Sequence, residues 1–314
     1  MVSIVENGIV FPDGGWPISV QMPTQTPEYA EPPVLVIRPE SSRSLGIAGD
    51  VWAFRDLLWS LADRDLRLRY RQTVLGVAWV VLQPMLGALI FTFVFGVVAE
   101  LSSEGVPYFR FTFASLAGWG LFAGVLTRSS GSLVQNAGLI SKVWFPRAVL
   151  PASTIPAALL DFVVAVVVLL LITFVGGAAF GVPAASVSAG PGSALLLAPL
   201  WAMALVLLAL GLGLIGAALM VSYRDVQHIL PVAVQLLLYA SPVAYSASNV
   251  PFEYQALYHL NPVAVFLEGL RASLLGTAMP ETRHVVSALL TTIVFLVLGS
   301  VVFRRLERRF ADVI

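Results

Sequence analysis

The chain contains no cysteine. That excludes disulfides, thiolate metal sites and cysteine nucleophiles. Charge is scarce as well: 11% of the 314 residues are charged, against 58% hydrophobic. Soluble domains carry about 25% charged residues. With a mean hydropathy of +0.87, most of this protein has lipid for its solvent. The 18 basic and 18 acidic residues cancel, which leaves no general basic surface for nucleic acid. Lysine occurs once, at Lys142; we read the arginine excess as base composition. No GxxxxGKS or GxxxxGKT occurs, so ATP is not bound through that loop. There is no HExxH and no paired-acid cluster at a membrane face, and His228, His259 and His284 lack metal-ligand spacing. No metal or cofactor is expected in this chain. The N-terminus is no signal peptide: it lacks a basic start, and Glu6 and Asp13 interrupt it early.

What is present is organised along the chain. Residues 1–49 are proline-rich and mildly acidic, with one β-prone run at Val34–Ile37. They read as a cytoplasmic tail, partly disordered. Residues 50–72 read as an amphipathic helix. Val51, Phe54, Leu58 and Leu61 repeat at helical spacing, with Trp52 and Leu57 beside them. Arg55, Asp56, Asp63 and Arg64 lie mostly off that stripe, and Asp50 is the expected N-cap. The cassette RDLRLRYRQTVLGVAWVVLQP, Arg64–Pro84, then joins charge directly to an apolar run. That is the form of a surface helix feeding a membrane span. Periodicity alone fits a docking helix and a simple anchor equally well.

A membrane domain over 73–303 follows, then a tail at 304–314. Its six expected spans run from Val74 to Ala99, Phe109 to Leu126, Val149 to Val175, Ala194 to Val221, Ile229 to Tyr245 and Val285 to Phe303. Between the last two, Ser246–His284 is too apolar for an ordinary loop and too broken for a span. A short helix is expected at Val263–Leu275, and re-entrant structure around it. Fifteen of the 18 basic residues fall in the N-terminal region, the Arg128–Arg147 loop, the turn at Arg224 and the C-terminal tail. That bias predicts both termini in the cytoplasm. The fold class is an all-α integral membrane protein.

Several motifs carry two readings each. LVQNAGLISKVWFPRAVLP, Leu133–Pro151, is longer than a turn requires. Leu133, Ala137, Ile140 and Val143 can share a helical face, which suits a docking lever lying along the membrane. Arg224 and Asp225 either meet a partner or pair locally. Glu268 and Arg271, three apart on a helix, are the expected structural ion pair. Asp161 is the one acid inside a span, with function as its default reading. Bonds to a neighbouring helix or to Ser153 and Thr154 are the structural alternative. Phe91, Phe93, Phe95, Trp119, Phe122, Tyr239, Tyr245 and Tyr258 serve either as packing or as the lining of a glycan path. GLGLIG, Gly211–Gly216, formally matches a dinucleotide fingerprint but lies inside an apolar span, so close helix packing is the better account. Gly120 and Gly124 form a GxxxG with the same reading.

The cassette Arg64–Pro84, LISKVWFPRAVLP, SYRDVQHILP, the NP…EGLR segment from Asn261 to Arg271 and the terminal RRFADVI together resemble one family. It is the permease subunit of ABC-2-type polysaccharide exporters, the Wzm/TagG kind, which exports O-antigen, teichoic acid, galactan or related glycans. The resemblance runs from about Pro33 to the C-terminus. It implies a homodimer working with two copies of a separate Wzt/TagH-like ATPase in a bacterial plasma membrane. ATP and Mg2+ belong to that partner, so this chain is not itself an enzyme. The implied substrate is a polyprenyl-diphosphate-linked glycan passing between the two permeases. On this resemblance, Asn136, Leu139, Ile140, Lys142, Arg64, Asp65 and Arg224 are the ATPase-coupling residues. The segment Asn136–Lys142 is then the coupling helix. Charge and position make Arg64, Arg67 and Arg69 candidates to meet the diphosphate. Channel-lining candidates are Tyr239, Tyr245, Phe91, Phe95 and Trp119. Two rivals remain: an ABC-2 exporter of drugs or lipids, and a membrane enzyme of lipid-linked glycan synthesis. The second would need clustered acids at the membrane face.

Overall fold

The computed structural model describes residues 46–71, 78–174 and 193–307. The described residues belong to one compact unit and contain no strand. The expected tail before residue 46, its Val34–Ile37 run, positions 72–77 of the cassette and the last seven residues lie outside them.

The described residues open with two helices, α1 (Ile47–Ala53) and α2 (Arg55–Arg71). Helix α1 starts after Gly46, whose φ of 88° suits a residue without Cβ. Asp50 is therefore not the N-cap. It lies inside α1, and its carboxylate accepts from Arg304 Nη2 at 3.4 Å. Phe54 separates the two helices, so the single amphipathic helix expected over 50–72 is a broken pair.

Among the described residues five helices are long and apolar enough to cross a membrane, and the chain is a multi-pass membrane protein. The first is α3 (Ala78–Phe91), continued by a π-helical turn at Thr92–Val98. Gly96 in that turn admits the Tyr108 ring; a Cβ there would lie 2.8 Å from Tyr108 Cγ. Next come α4 (Tyr108–Gln135), the short α5 (Ala137–Ile140), and α6 (Val149–Ser153) leading into α7 (Ile155–Phe174). A 3-10 turn at Ser193–Leu197 opens α8 (Ala198–Ser222). The fifth expected span, Ile229 to Tyr245, is α9 (Val226–Ala240). Its 15 residues rise about 22 Å, short of the ~30 Å hydrocarbon core. After it come α10 (Phe252–Leu260), α11 (Pro262–Leu275) and α12 (Thr282–Glu307). Helix α11 occupies the expected Val263–Leu275 segment, with Asn261 Oδ1 capping the Val263 amide at 3.0 Å.

Helices α4 and α8 are the buried axis of the bundle, whereas α3 and α12 leave most of their surface free. Small residues on α8 set the spacing. Gly211 faces the α12 backbone at Phe295 and Leu296, and Gly299 of α12 abuts the Gly211 carbonyl. Gly213 and Gly216 face Ser129 and Ser130 of α4. GLGLIG thus serves close packing. The second glycine pair does not. Gly120 meets no neighbour within 4 Å, and Gly124 instead makes room for the Arg128 guanidinium. The main core gathers aromatics and aliphatics of α4, α7, α8 and α11. A separate satellite core, with Leu61, Leu133, Phe145, Leu150, Leu214 and Phe303, sits at one end.

Candidate functional site

That satellite core collects the two elements singled out by sequence. Leu61 of α2 is buried in it, with Val51, Phe54, Leu57 and Leu58 packed alongside. The amphipathic stripe read from periodicity is the face that packs. Leu139 and Ile140 of α5 press onto the same core from the other side. Two of the expected coupling residues therefore point inward, because a four-residue helix cannot bury its apolar pair and present it too. What the segment exposes instead is Lys142, Val143 and Trp144, the last 85% exposed. Leu133 lies buried on α4, and the chain breaks at Asn136, so the expected continuous face from Leu133 to Val143 is not formed.

Polar bonds tie these elements to the spans. Arg64 Nη2 donates to Asn136 Oδ1 at 2.7 Å and to Asp65 Oδ1 at 3.1 Å. Arg147 Nη1 donates to the Glu307 carbonyl at 2.8 Å, linking the loop after α5 to the end of α12. Arg67 pairs with Asp63 at 2.8 Å on the exposed side of α2. Arg69 turns inward. Its Nη1 donates to Asp161 Oδ2 at 2.6 Å, and Arg128 Nη1 reaches the same oxygen at 3.3 Å. Arg128 arrives there by folding back one turn, with Nε on the Gly124 carbonyl at 3.0 Å. Asp161 thus answers two guanidinium groups from two other helices. Ser153 and Thr154, its expected local partners, bond elsewhere, to Leu150 and to Pro151 and Ser129.

A cleft of about 440 Å³ opens between α2 and the end of α4, lined by Arg64, Asp65, Leu68, Arg69, Gln135 and Asn136. Two of the three arginines proposed to meet a diphosphate line it. Arg224 and Asp225 are exposed at the turn after α8 and form no ion pair with each other.

The channel candidates separate. Trp119 is 7% exposed and packs against Phe122 inside the bundle, so it faces no open space. It occupies the α4 face turned to the main core. Phe91 and Phe95 are half-buried on the first span, edge to face at 5.6 Å. Tyr239 is exposed on α9 with Ile229, Val232 and Leu236, and half-buried Tyr245 donates from its hydroxyl to the Tyr239 carbonyl at 3.3 Å. The expected Glu268–Arg271 pair is absent. Glu268 Oε1 accepts from the Tyr258 hydroxyl at 2.6 Å, while Arg271 donates to Ser115 Oγ at 3.2 Å. Helix rotation aims the two side chains at different neighbours. Among the described residues no group of His, Asp and Glu is arranged to hold a metal ion.

An arrangement of exposed loop, exposed helix and partly exposed ionic link suits mechanical transmission more than covalent chemistry. The ABC-2 type transporter family matches residues 56–275. The chain belongs to the ABC-2 type transporter family. Its match begins within α2 and ends with α11, so it takes in the Arg64–Asn136 bond and Asp161. The chain is 28% identical over 259 residues to an O-antigen export system permease protein RfbA of Klebsiella pneumoniae, covering 82% of this chain and 95% of that one. It is 28% identical over 265 residues to the RfbA permease of Myxococcus xanthus, covering 84% and 97%. A polysialic acid transport protein KpsM of Escherichia coli is 25% identical over 248 residues, covering 78% and 91%.

From sequence Arg128 has no assigned role, and Trp144 counts only as part of the Trp144–Arg147 stretch that stops a helix. Asp161 held the signal for the first. An acid in an apolar run demands a cation, and Arg128 lies on the preceding span with a glycine one turn before it. For Trp144 the only signal was an aromatic between a lone lysine and a proline.

Proposed function

We propose that this chain is the permease subunit of an ATP-driven exporter of a lipid-linked polysaccharide. It works as a homodimer with two copies of a separate ATPase, and both termini lie in the cytoplasm of a bacterial plasma membrane. The observation that carries the reading is the near full-length similarity to O-antigen export permeases, with the Arg64–Asn136 bond inside the family match. Force applied to the exposed Lys142–Trp144 segment passes through the Arg64–Asn136 bond to α2 and through Arg69 to Asp161. A rigid-body shift of these elements then reshapes the path between permeases. The substrate's polyprenyl diphosphate meets the arginines of the α2–α4 cleft.

The test is deletion of the gene, with surface polysaccharide and intracellular lipid-linked glycan measured together. Export function predicts loss of the first and accumulation of the second, restored by the intact chain only when its ATPase partner is active. Unchanged surface glycan with altered drug or lipid efflux would overturn the polysaccharide reading. Turnover of a lipid-linked sugar by the purified chain alone would overturn transport.

A further inference from the structure

At the end of the bundle away from Arg64, the segments before α4, α10 and α12 frame a second cleft, of about 290 Å³. Arg271 lines it and is only 1% exposed. Its Nη1 bonds Ser115 Oγ and the Pro242 carbonyl, and its guanidinium lies 4.3 Å over the Phe111 ring. Its Nε and Nη2 have no partner. These two form one edge of the guanidinium, the geometry that receives two neighbouring oxygens. His259 also lines the cleft, and its Nδ1 has no partner either. Three of the five partnerless buried side-chain polar atoms among the described residues therefore sit on two residues of one cleft. Unpaired buried polar atoms are costly, so their concentration marks a place that receives hydrogen-bonding groups from outside the chain.

The remaining lining decides the ligand class. Glu104, Glu268 and Glu281 face the same space. Glu281 pairs with Arg283 at 2.6 Å and burial favours the neutral form of Glu268, so the carboxyl groups and the guanidinium leave no strong excess of either sign for an ionic ligand. A neutral polyhydroxylated ring meets both, since each hydroxyl accepts and donates. The volume corresponds to about ten waters at roughly 30 Å³ each, more room than one bridging water requires. Ser246, bonded to Glu104, and Ser248 add hydroxyls to the same wall.

We propose that this cleft is a subsite for one sugar ring, whose adjacent hydroxyl oxygens accept from Arg271 and whose hydroxyl protons go to Glu104 and Glu281. Naming the sugar as part of the exported glycan rests on the polysaccharide reading above. The test uses the full chain in nanodiscs and methyl glycosides of each sugar recovered by hydrolysis of the producing cell's surface polysaccharide. Saturation-transfer NMR is expected to detect at least one glycoside at millimolar concentration. Arg271→Lys is expected to weaken that binding at least tenfold. Because Arg271 is buried, Glu281→Gln serves as a second variant on an exposed side chain and is expected to weaken binding severalfold. No transfer to any glycoside, or equal binding by both variants, overturns the subsite, as does displacement of the glycoside by inorganic sulfate. Loss of surface glycan on gene deletion, with no glycoside binding, removes this inference alone. Glycoside binding by a chain whose deletion leaves the surface glycan intact removes the export reading and keeps the polyol site.

Discussion

Asp161 shows how far a single residue can be read. Its position in an apolar run demands a cation, and the run itself offers none. The partners come from α2 and α4, helices separated from it by 92 and 33 positions, which no local pattern specifies. The carboxylate is partly exposed, at 18%, so the pairing is worth less than a fully buried one. Asp161→Asn is expected to lower stability by about 1–3 kcal/mol, because two guanidinium groups lose their common acceptor. Arg69→Ala should cost less, since Arg128 still holds the carboxylate. Thermal unfolding in detergent, run as a double-mutant cycle, checks both, and a zero coupling energy would show the link is idle. Glu268 makes a second case. Burial pushes its carboxyl above the ordinary range, against the opposing pull of the Tyr258 hydrogen bond and the Arg271 charge. Between the unfolded and folded pKa values the folded chain therefore holds more protons. Its contribution to stability is full below the unfolded pKa and is lost as pH rises through the folded one. Glu268→Gln keeps an oxygen for Tyr258 and removes that dependence. Its melting temperature should exceed the parent's at neutral pH and converge with it near pH ~4.

Elements were legible where they repeat and illegible where they are short. The Val51–Leu61 stripe is written in helical spacing, and the same residues pack on the satellite core. The segment after α4 carries a helix-like pattern too, yet only Ala137–Ile140 is helical. Asn136 ends α4 and Trp144–Pro146 leaves the next turn nothing to build on, a competition that periodicity does not weigh. Close packing of α8 on α12 was visible as GLGLIG, but which helix it meets was not. Gly211 touches backbone rather than a flexible side chain. Gly211→Ala should therefore cost about 1–3 kcal/mol through overpacking, whereas Gly120→Ala, with open space around it, should be neutral or slightly stabilising. Matched melting curves test the contrast. Trp144→Ala separates the loop's two roles. At 85% exposure it should change stability by no more than about 0.5 kcal/mol. Aromatic anchors carry a large share of interface energy, so glycan export and ATPase copurification should fall at least tenfold. Full export by this variant would remove the loop from the coupling surface.

At the scale of the whole molecule, composition announces a membrane protein and hydropathy locates its helices, but neither says which faces meet lipid, water or a second copy. Helix α9 poses the question most sharply. It is too short to cross alone, and its exposed side mixes Ile229, Val232 and Leu236 with Gln235 and Tyr239. Helix α12 exposes Leu290, Ile293, Val294 and Val297, with no polar residue among those four. A pathway side needs water within reach, whereas a lipid side excludes it. The missing cysteines make this measurable without background, because any thiol introduced is the only one in the chain. Maleimides react with the thiolate, which forms in water and not in hydrocarbon. Gln235→Cys and Tyr239→Cys should therefore label with a water-soluble maleimide in membranes from cells holding the complete exporter, while Ile293→Cys and Val297→Cys should label only after detergent. If α9 contributes to the glycan path, labelling at Tyr239→Cys should also fall when lipid-linked glycan accumulates behind an inactive ATPase. Equal protection of all four positions would place α9 against lipid and leave Tyr239 outside the path.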